Sequence, residues 1–149
     1  MTLNLPEKQF NIKKGSDGKL HILDRLRRKF VALTPEEWVR QNFVSYLIDD
    51  KGFPAGLMAN EVALVQNGIS RRCDTLVSDH NGNPFVIVEY KAPSISITQQ
   101  VFDQIVRYNM VLKAAYLIVS NGICHYCCRI DYNTGSYTFL PEIPSYKSL

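Results

Sequence analysis

Asp74, Glu89 and Lys91 are the residues whose types and spacing could support catalysis. Asp74 lies in a stretch rich in β-forming residues, and Glu89 and Lys91 directly follow the apolar run of residues 85–88. Because side chains alternate along a strand, Glu89 and Lys91 point to one face. A hairpin that pairs the two stretches would set Asp74 near Glu89, so that two carboxylates and an ammonium group converge.

Two carboxylates beside a lysine suit metal-assisted hydrolysis of a phosphate ester. Carboxylate oxygens are ligands that Mg²⁺ and Mn²⁺ prefer, and one or two of them with substrate phosphate oxygens make a typical site. The metal activates water, and a lysine can stabilise negative charge on a phosphate or help remove a proton from that water. The alternative is a solvated ion pair at a strand end, because glutamate and lysine are common residues.

The segment between the two stretches predicts the hairpin. Asn81 and Gly82 supply the positive φ angles of a tight turn, and Pro84 can open the returning strand. The following run, residues 85–88, is apolar at every position, which is typical of a central strand covered on both faces. Further strands are predicted at residues 57–65, 115–120, 123–131 and 137–140.

The composition predicts a chain of about one domain with a real core. Its 149 residues are 46% hydrophobic and 21% charged. We expect a cytoplasmic protein that does not enter a membrane, because no run approaches the ~20 apolar residues that span a bilayer and the start lacks the pattern of a signal peptide. The cysteines, three of them crowded at residues 124–128, are expected to be reduced thiols, and zinc is not expected because no second ligand pair completes a tetrahedral site.

The N-terminal segment is basic, with eight Lys or Arg against three Asp or Glu in residues 1–30. We expect these residues to form an arm that packs on the core, residues 31–149, with a hairpin of residues 10–13 and 19–23 around a Gly-rich turn. The cluster Arg25, Arg27, Arg28 and Lys29 suggests contacts to a nucleic-acid backbone. A solvated basic surface is the alternative.

A first helix is predicted from Thr34 to about Asp49. Thr34 is placed as N-cap, Pro35 stands at the first helical position, and Glu37 is placed for a capping box. On a helical wheel Glu36 falls within the apolar stripe and becomes a candidate inward-facing acid, whereas Glu37 lies to one side. Both glutamates could instead simply complement the helix dipole.

A second long helix is predicted over residues 97–113. One face sets Gln104 and Tyr108, four residues apart, within an apolar stripe, so a buried amide that needs partners is expected. The opposite side carries Phe102, Val106 and Met110, which predicts a cover by the N-terminal arm or by a second subunit in a homodimer.

Together these residues resemble the PD-(D/E)xK nuclease superfamily. The resemblance rests on the order of Glu36, Asp74, the triplet Glu89-Tyr90-Lys91 and the Gln104-x-x-x-Tyr108 element, and it covers roughly residues 20–125. Residues 34–41, 72–74 and 88–93 further resemble the N-terminal nuclease domain of type I restriction enzyme R subunits. Cys73 stands where the proline that names the superfamily would be.

The resemblance implies an α/β fold in which a mixed central sheet is flanked by two long helices, with an αβββαβ core. It implies that Asp74, Glu89 and the Tyr90 carbonyl hold Mg²⁺, with Mn²⁺ possible, and that Lys91 assists the water. Gln104 and Tyr108 would orient Lys91 or a phosphate, and Glu36, or else Glu37 or Glu61, would be an additional acid.

The implied reaction is hydrolysis of DNA phosphodiester bonds. Other restriction-modification or motor subunits are implied as partners, and the sequence contains no Walker A loop, so it predicts no motor of its own. The alternative is a catalytically silent module of the same fold that binds nucleic acid or serves in assembly.

Overall fold

The computed structural model describes residues 2–149. Within that range the chain forms nine strands and two α-helices, and none of its helices is long and apolar enough to cross a membrane. The strands are β1 (Ile12–Lys14), β2 (Leu20–Asp24), β3 (Lys29–Ala32), β4 (Met58–Gln66), β5 (Ile69–Ser78), β6 (Pro84–Tyr90), β7 (Tyr116–Ser120), β8 (His125–Asp131) and β9 (Ser136–Phe139). The helices are α1 (Pro35–Asp49) and α2 (Gln99–Asn109), and short 3₁₀ turns occupy Ala55–Leu57, Met110–Leu112 and Tyr146–Ser148.

Six strands form a mixed sheet in the order β4-β5-β6-β7-β8-β9. The β6–β7 pair is parallel, and the other neighbouring pairs are antiparallel. The parallel pair follows from the crossover through α2, because parallel neighbours need a long connection and a helix commonly provides it. The predicted α/β class, with a mixed central sheet and two helices, is confirmed.

The strand β6 is covered on both faces, as its uninterrupted apolar run predicts. Val86 and Val88 pack in one core cluster with residues of α1, whereas Ile87 packs in a second cluster with residues of α2. The α1 residues of the first cluster are Val39, Phe43, Val44 and Leu47, and those of α2 in the second are Phe102 and Val106. Each such side chain contributes about 1.5–3 kcal/mol by burial, so the two helices hold the sheet from opposite sides.

The hairpin that joins β5 to β6 forms where the sequence predicts it. Gly82 has a φ of +82°, and the Asp79 carboxylate accepts hydrogen bonds from the amides of Asn81 and Asn83, both at 2.9 Å. This Asx turn fixes the register of the two strands, with Leu76 opposite Ile87.

The start of α1 also forms as predicted. Thr34 accepts a hydrogen bond from the Glu37 amide at 3.1 Å, and Pro35 is the first residue of the helix. The Glu37 carboxylate does not complete a capping box, in which it would accept a hydrogen bond from the Thr34 amide. It is buried, and it accepts hydrogen bonds from Arg27 and Gln41, both at 2.9 Å.

The N-terminal residues form a three-stranded antiparallel sheet, β1-β2-β3, and the expected two-stranded hairpin is therefore incomplete. β3 crosses the predicted boundary between residues 30 and 31. The basic run, residues 25–29, contains a turn between β2 and β3. Arg28 has a φ of +55°, and the fully buried Asp24 accepts hydrogen bonds from the Leu26 and Arg27 amides at 2.7 and 2.8 Å. These bonds reverse the chain without glycine or proline, which is why the sequence pattern missed it.

The N-terminal residues pack against α1. The Phe10 and Trp38 rings meet edge to face with centroids 5.4 Å apart, and the Lys8 ammonium lies 2.8 Å from the Asp50 carboxylate. Ile22 is fully buried. The arm is thus attached by apolar contacts as well as by charge.

A chain of ion pairs links the N-terminal sheet, α1 and the central sheet. Arg27 contacts Glu37 at 2.9 Å, and the other Glu37 oxygen lies 3.1 Å from Arg40 Nε. Arg40 also contacts Glu61 of β4 at 2.5 Å, and Glu61 contacts Arg72 of β5 at 2.7 Å. The Arg40 side chain is 5% exposed and that of Arg72 is 63% exposed, so burial is greatest at the centre of this series of ion pairs.

The helix α2 is shorter than predicted and has the opposite inward face. It begins after Thr98, which accepts a hydrogen bond from the Val101 amide at 3.2 Å. Phe102 and Val106 are buried, whereas Gln104 and Tyr108 are exposed, so the expectation of a buried amide at Gln104 is wrong.

The apolar side chains of Phe102 and Val106 are buried by residues of the same chain. The rings of Phe102 and Phe139 lie with centroids 4.9 Å apart, and Tyr137 also contacts Phe102. The predicted explanations, packing by the N-terminal arm or a homodimer through Val106, are therefore corrected: the chain's own sheet buries these residues.

Replacing Val106 by aspartate is expected to unfold the domain. A carboxylate would be buried without a partner, and we expect a loss of about 3 kcal/mol or more in the free energy of unfolding. The exposed Gln100→Asp in the first turn of α2 should change it by no more than about 0.5 kcal/mol. Urea denaturation followed by circular dichroism measures both, and a folded Val106→Asp variant of native stability contradicts the packing.

The ion-pair chain predicts a second difference in stability. Arg40→Met removes the buried cation that contacts one oxygen of Glu37 and one of Glu61, and we expect a loss of about 3–5 kcal/mol. Arg72→Met removes an exposed pair with the same Glu61 and should cost at most about 1 kcal/mol. The same denaturation experiment compares them, and equal losses would show that burial does not set the strength of these pairs.

Candidate functional site

The central sheet divides at Asp74 and Glu89. The β5–β6 pairing runs to Thr75 opposite Val88, and beyond that point β5 stays paired with β4 and β6 with β7. Asp74 and Glu89 are the next residues on the two diverging strands. The structure therefore places both acids at a fork in the sheet, on adjacent strands.

A pocket of about 370 Å³ opens at this fork. It brings together the seven residues that the sequence singled out for catalysis or metal binding, together with two more from α2. The lining residues are Glu36, Asp74, Glu89, Tyr90, Lys91, Gln104, Ile105, Tyr108 and Asn109. The residues come from α1, β5, β6, the segment after β6 and α2, so that the whole core is needed to assemble the pocket.

Asp74 is fixed through both its backbone and its side chain. The register of β4 and β5 is interrupted at Glu61 and Asp74, where Glu61 has a φ of +55°. At this interruption the Asp74 carbonyl accepts a hydrogen bond from Arg40 Nη1 at 2.8 Å. The carboxylate accepts one from the Tyr90 amide at 2.9 Å, which holds it across the fork.

Burial and the neighbouring Asp74 raise the pKa of two acids of the pocket, Glu89 and Glu36. Burial is the largest cause of the raised pKa of Glu89, and the neighbouring Asp74 adds to it, while the nearby Asn109 amide lowers it. Glu36 is exposed and Glu37 is buried, so the expectation that Glu36 is the inward-facing acid of the two is corrected, although Glu36 reaches the edge of the pocket. The pKa of Glu36 is raised by partial burial and then by the charge of Asp74, with Lys91 acting in the opposite direction. The pocket thus contains three carboxyl groups, and a bound cation would stabilise their charged forms.

The donor set fits a hard divalent cation that keeps part of its hydration shell. Glu89 Oε1 is buried and has no hydrogen-bond partner in residues 2–149. In the same range no group of three or more His, Cys, Asp or Glu side chains is arranged to hold a metal. Two carboxylates and a backbone carbonyl of Tyr90 are a small set, which suits Mg²⁺ completed by water and phosphate oxygens.

Lys91 lies at the edge of the pocket directly after β6. Its amide donates a hydrogen bond to the Ser120 carbonyl at 2.9 Å, which continues the alignment of β6 with β7. Its ammonium forms no salt bridge with any residue that the structure describes. A half-buried lysine next to carboxyl groups and without a fixed partner can turn towards a bound anion.

The structure separates the four predicted nucleic-acid contacts into two kinds. Arg27 bonds to Asp24 and Glu37 with its guanidinium, and Arg25 contacts Asp49 at 3.0 Å. Both partners of Arg27 are buried, so its guanidinium holds the N-terminal sheet on α1, and its contact with nucleic acid stays a prediction. Arg28 and Lys29 are exposed and form no salt bridge within the described range, and their contact with nucleic acid stays a prediction.

Sequence reasoning missed several residues around the pocket. The Arg71 guanidinium lies 4.6 Å from the centre of the Tyr108 ring and donates to the Tyr108 carbonyl at 2.9 Å. Arg40 and Asn109 are buried polar residues on the inner faces of the two helices. The adjacent basic residues just before Asp74 were a usable signal for Arg71, whereas nothing in the local pattern distinguishes Arg40 or Asn109.

Comparison with known proteins gives a consistent result. No curated protein matches the sequence significantly. Among solved structures, a fragment assigned to an HsdR subunit of a type I restriction enzyme from Vibrio vulnificus YJ016 has a similar fold, with a TM-score of 0.52 and 20% sequence identity. The match covers 76% of this chain and 24% of that one, so the chain spans about a quarter of its relative.

The sequence also matches a family model described as the N terminus of type I restriction enzyme R proteins. The match extends over residues 35–144, which is well over half of the chain and includes the residues that line the pocket. The chain belongs to the family of type I restriction enzyme R protein N-terminal domains.

Proposed function

We propose that the pocket at the fork is the active site of a metal-dependent nuclease of the PD-(D/E)xK type, which hydrolyses phosphodiester bonds of DNA. The observation that supports this most strongly is the meeting of Asp74, Glu89 and Lys91 at one pocket, with a buried oxygen of Glu89 left without a partner. Membership of a restriction-enzyme family supports a nuclease-type module.

The residues at the fork would hold the metal. Asp74, Glu89 and the Tyr90 carbonyl would bind Mg²⁺ or Mn²⁺, and the ion would act as a Lewis acid on the phosphate and on the attacking water. The hydrogen bond from the Tyr90 amide keeps the Asp74 carboxylate in place before the ion binds. Preorganisation of this kind reduces the rearrangement needed on binding.

The remaining side chains of the pocket would act on the phosphate and the water. Lys91 stabilises negative charge on the phosphate or takes a proton from the water, and Glu36 adds a further acid on the α1 side. Gln104 and Tyr108 are exposed on α2 and line the same pocket, where they can orient Lys91 or the phosphate.

Basic side chains beside the pocket and on the N-terminal sheet would bind the DNA backbone. Arg71, stacked on Tyr108, is adjacent to the pocket, and Arg28 and Lys29 supply exposed positive charge. Contacts of this kind give affinity without sequence preference. We propose that choice of target depends on other restriction-modification or motor subunits, as membership of a restriction-enzyme family suggests.

Replacing Asp74 by asparagine is expected to abolish metal-dependent cleavage. The amide keeps an oxygen that can accept the Tyr90 hydrogen bond but loses the charge that binds the cation, so we expect a loss of more than about 100-fold in rate. Cleavage of duplex, nicked, branched and single-stranded DNA measures it, with the exposed Glu7→Gln as matched control. Cleavage by Asp74→Asn at the wild-type rate would falsify the site.

A catalytically silent module of the same fold is distinguished by metal binding. Calorimetric titration with Mg²⁺, Mn²⁺ and Ca²⁺ should give heat in the wild type that Asp74→Asn lacks. If neither protein binds any of the three ions, the silent module is the better description.

Lys91→Ala is expected to lower turnover far more than DNA affinity, because the ammonium acts chiefly in the transition state. Lys29→Ala provides the contrast: if Lys29 meets a phosphate, affinity falls for every sequence and the salt dependence weakens by about one unit. Single-turnover cleavage and binding across a salt series measure both variants. Equal losses of affinity in the two would make Lys91 merely another phosphate contact.

A further inference from the structure

Asn109 is a buried polar residue of the pocket that neither the fold nor the roles proposed above explain. It is the last residue of α2 and is 1% exposed. Its Nδ2 donates a hydrogen bond to the Ile105 carbonyl at 3.0 Å, and its Oδ1 has no hydrogen-bond partner in residues 2–149. Buried amide oxygens are normally satisfied, so an exception of this kind calls for an explanation.

The hydrogen bond to Ile105 fixes the orientation of the amide. A carbonyl can only accept, so the nitrogen of Asn109 must face Ile105, and a flipped amide would set two acceptors against each other. Oδ1 is therefore the atom left over. Asn109 lines the pocket together with Glu89, whose Oε1 is likewise buried and without a partner.

The two acceptors without partners, Glu89 Oε1 and Asn109 Oδ1, restrict the kind of ligand that can bind in this pocket. An amide oxygen cannot donate a hydrogen bond, and once Glu89 is ionised its carboxylate oxygens cannot donate one either. The occupant must bring positive charge or donors, and a partly hydrated divalent cation brings both. Asparagine oxygens are among the ordinary ligands of hard cations, and residues that hold a coordinated water also contribute to metal affinity.

We propose that Asn109 Oδ1 is a further oxygen of the cation site, which holds the divalent ion or one of its bound waters beside Glu89. This inference rests on the proposed function, since it assigns one more residue to the same site. Asn109 stands outside the Asp74, Glu89 and Tyr90 set and reaches the pocket from α2, so the cation would be held from the helix as well as from the sheet.

The test compares two variants of similar size by calorimetric titration with MnCl₂. Asn109→Leu removes the oxygen, and we expect its affinity for Mn²⁺ to fall by about 10- to 100-fold. Asn109→Asp keeps an oxygen but loses the nitrogen that binds Ile105, and we expect it to bind Mn²⁺ at least as tightly as the wild type. Asn109→Ala, measured in parallel, provides the loss of the oxygen with less bulk should the leucine variant fail to fold.

The outcomes separate this inference from the proposed function. Wild-type affinity in a folded Asn109→Leu or Asn109→Ala variant overturns the role of Oδ1 and leaves the site at Asp74 and Glu89 intact. Equal weakening in the leucine and aspartate variants also overturns it, because the nitrogen and its bond to Ile105 would then be what matters. A wild type that binds no Mn²⁺ overturns the proposed function and this inference with it.

Discussion

The buried guanidinium of Arg40 is the interaction on which the geometry of the site depends. It donates to the Asp74 carbonyl at the point where the β4–β5 register is interrupted, and it contacts both Glu37 and Glu61. A buried carbonyl that leaves a β-ladder needs another donor, and a buried guanidinium needs acceptors on several sides. The guanidinium therefore satisfies the carbonyl, and the β4–β5 ladder can be interrupted without leaving the Asp74 carbonyl unpaired.

Much of the fold could be predicted from local signals, because turns and caps depend on neighbouring residues. Gly82 and Thr34 adopt the roles that their types favour, and the apolar run of β6 is central in the sheet. The inward face of α2 could not be predicted, because both of its sides carry apolar residues and the deciding contact comes from Phe139, which lies far along the chain. β3 was missed because its preceding turn relies on the Asp24 side chain.

The residues of the candidate site could likewise be predicted only in part from the sequence. Glu89 could be selected because charge directly after an apolar run is unusual, and Asp74 because the predicted hairpin would set it near Glu89. The consequences of burial could not: Arg27 was expected at a phosphate, yet it is bound to Asp24 and Glu37, which belong to other elements. The unpartnered oxygens of Glu89 and Asn109 are also invisible in sequence, since a missing partner is a property of the assembled pocket.

The contact between Phe10 and Trp38 provides an intrinsic fluorescence probe for the packing of the N-terminal segment on α1. Trp38 is the single tryptophan of the chain, and it lies where the N-terminal residues meet α1. Its intrinsic fluorescence therefore senses the detachment of that segment, while circular dichroism follows the helices and sheets of the remainder. Comparing the two signals during unfolding reveals whether the segment leaves first or together with the core, and it does so without any added label.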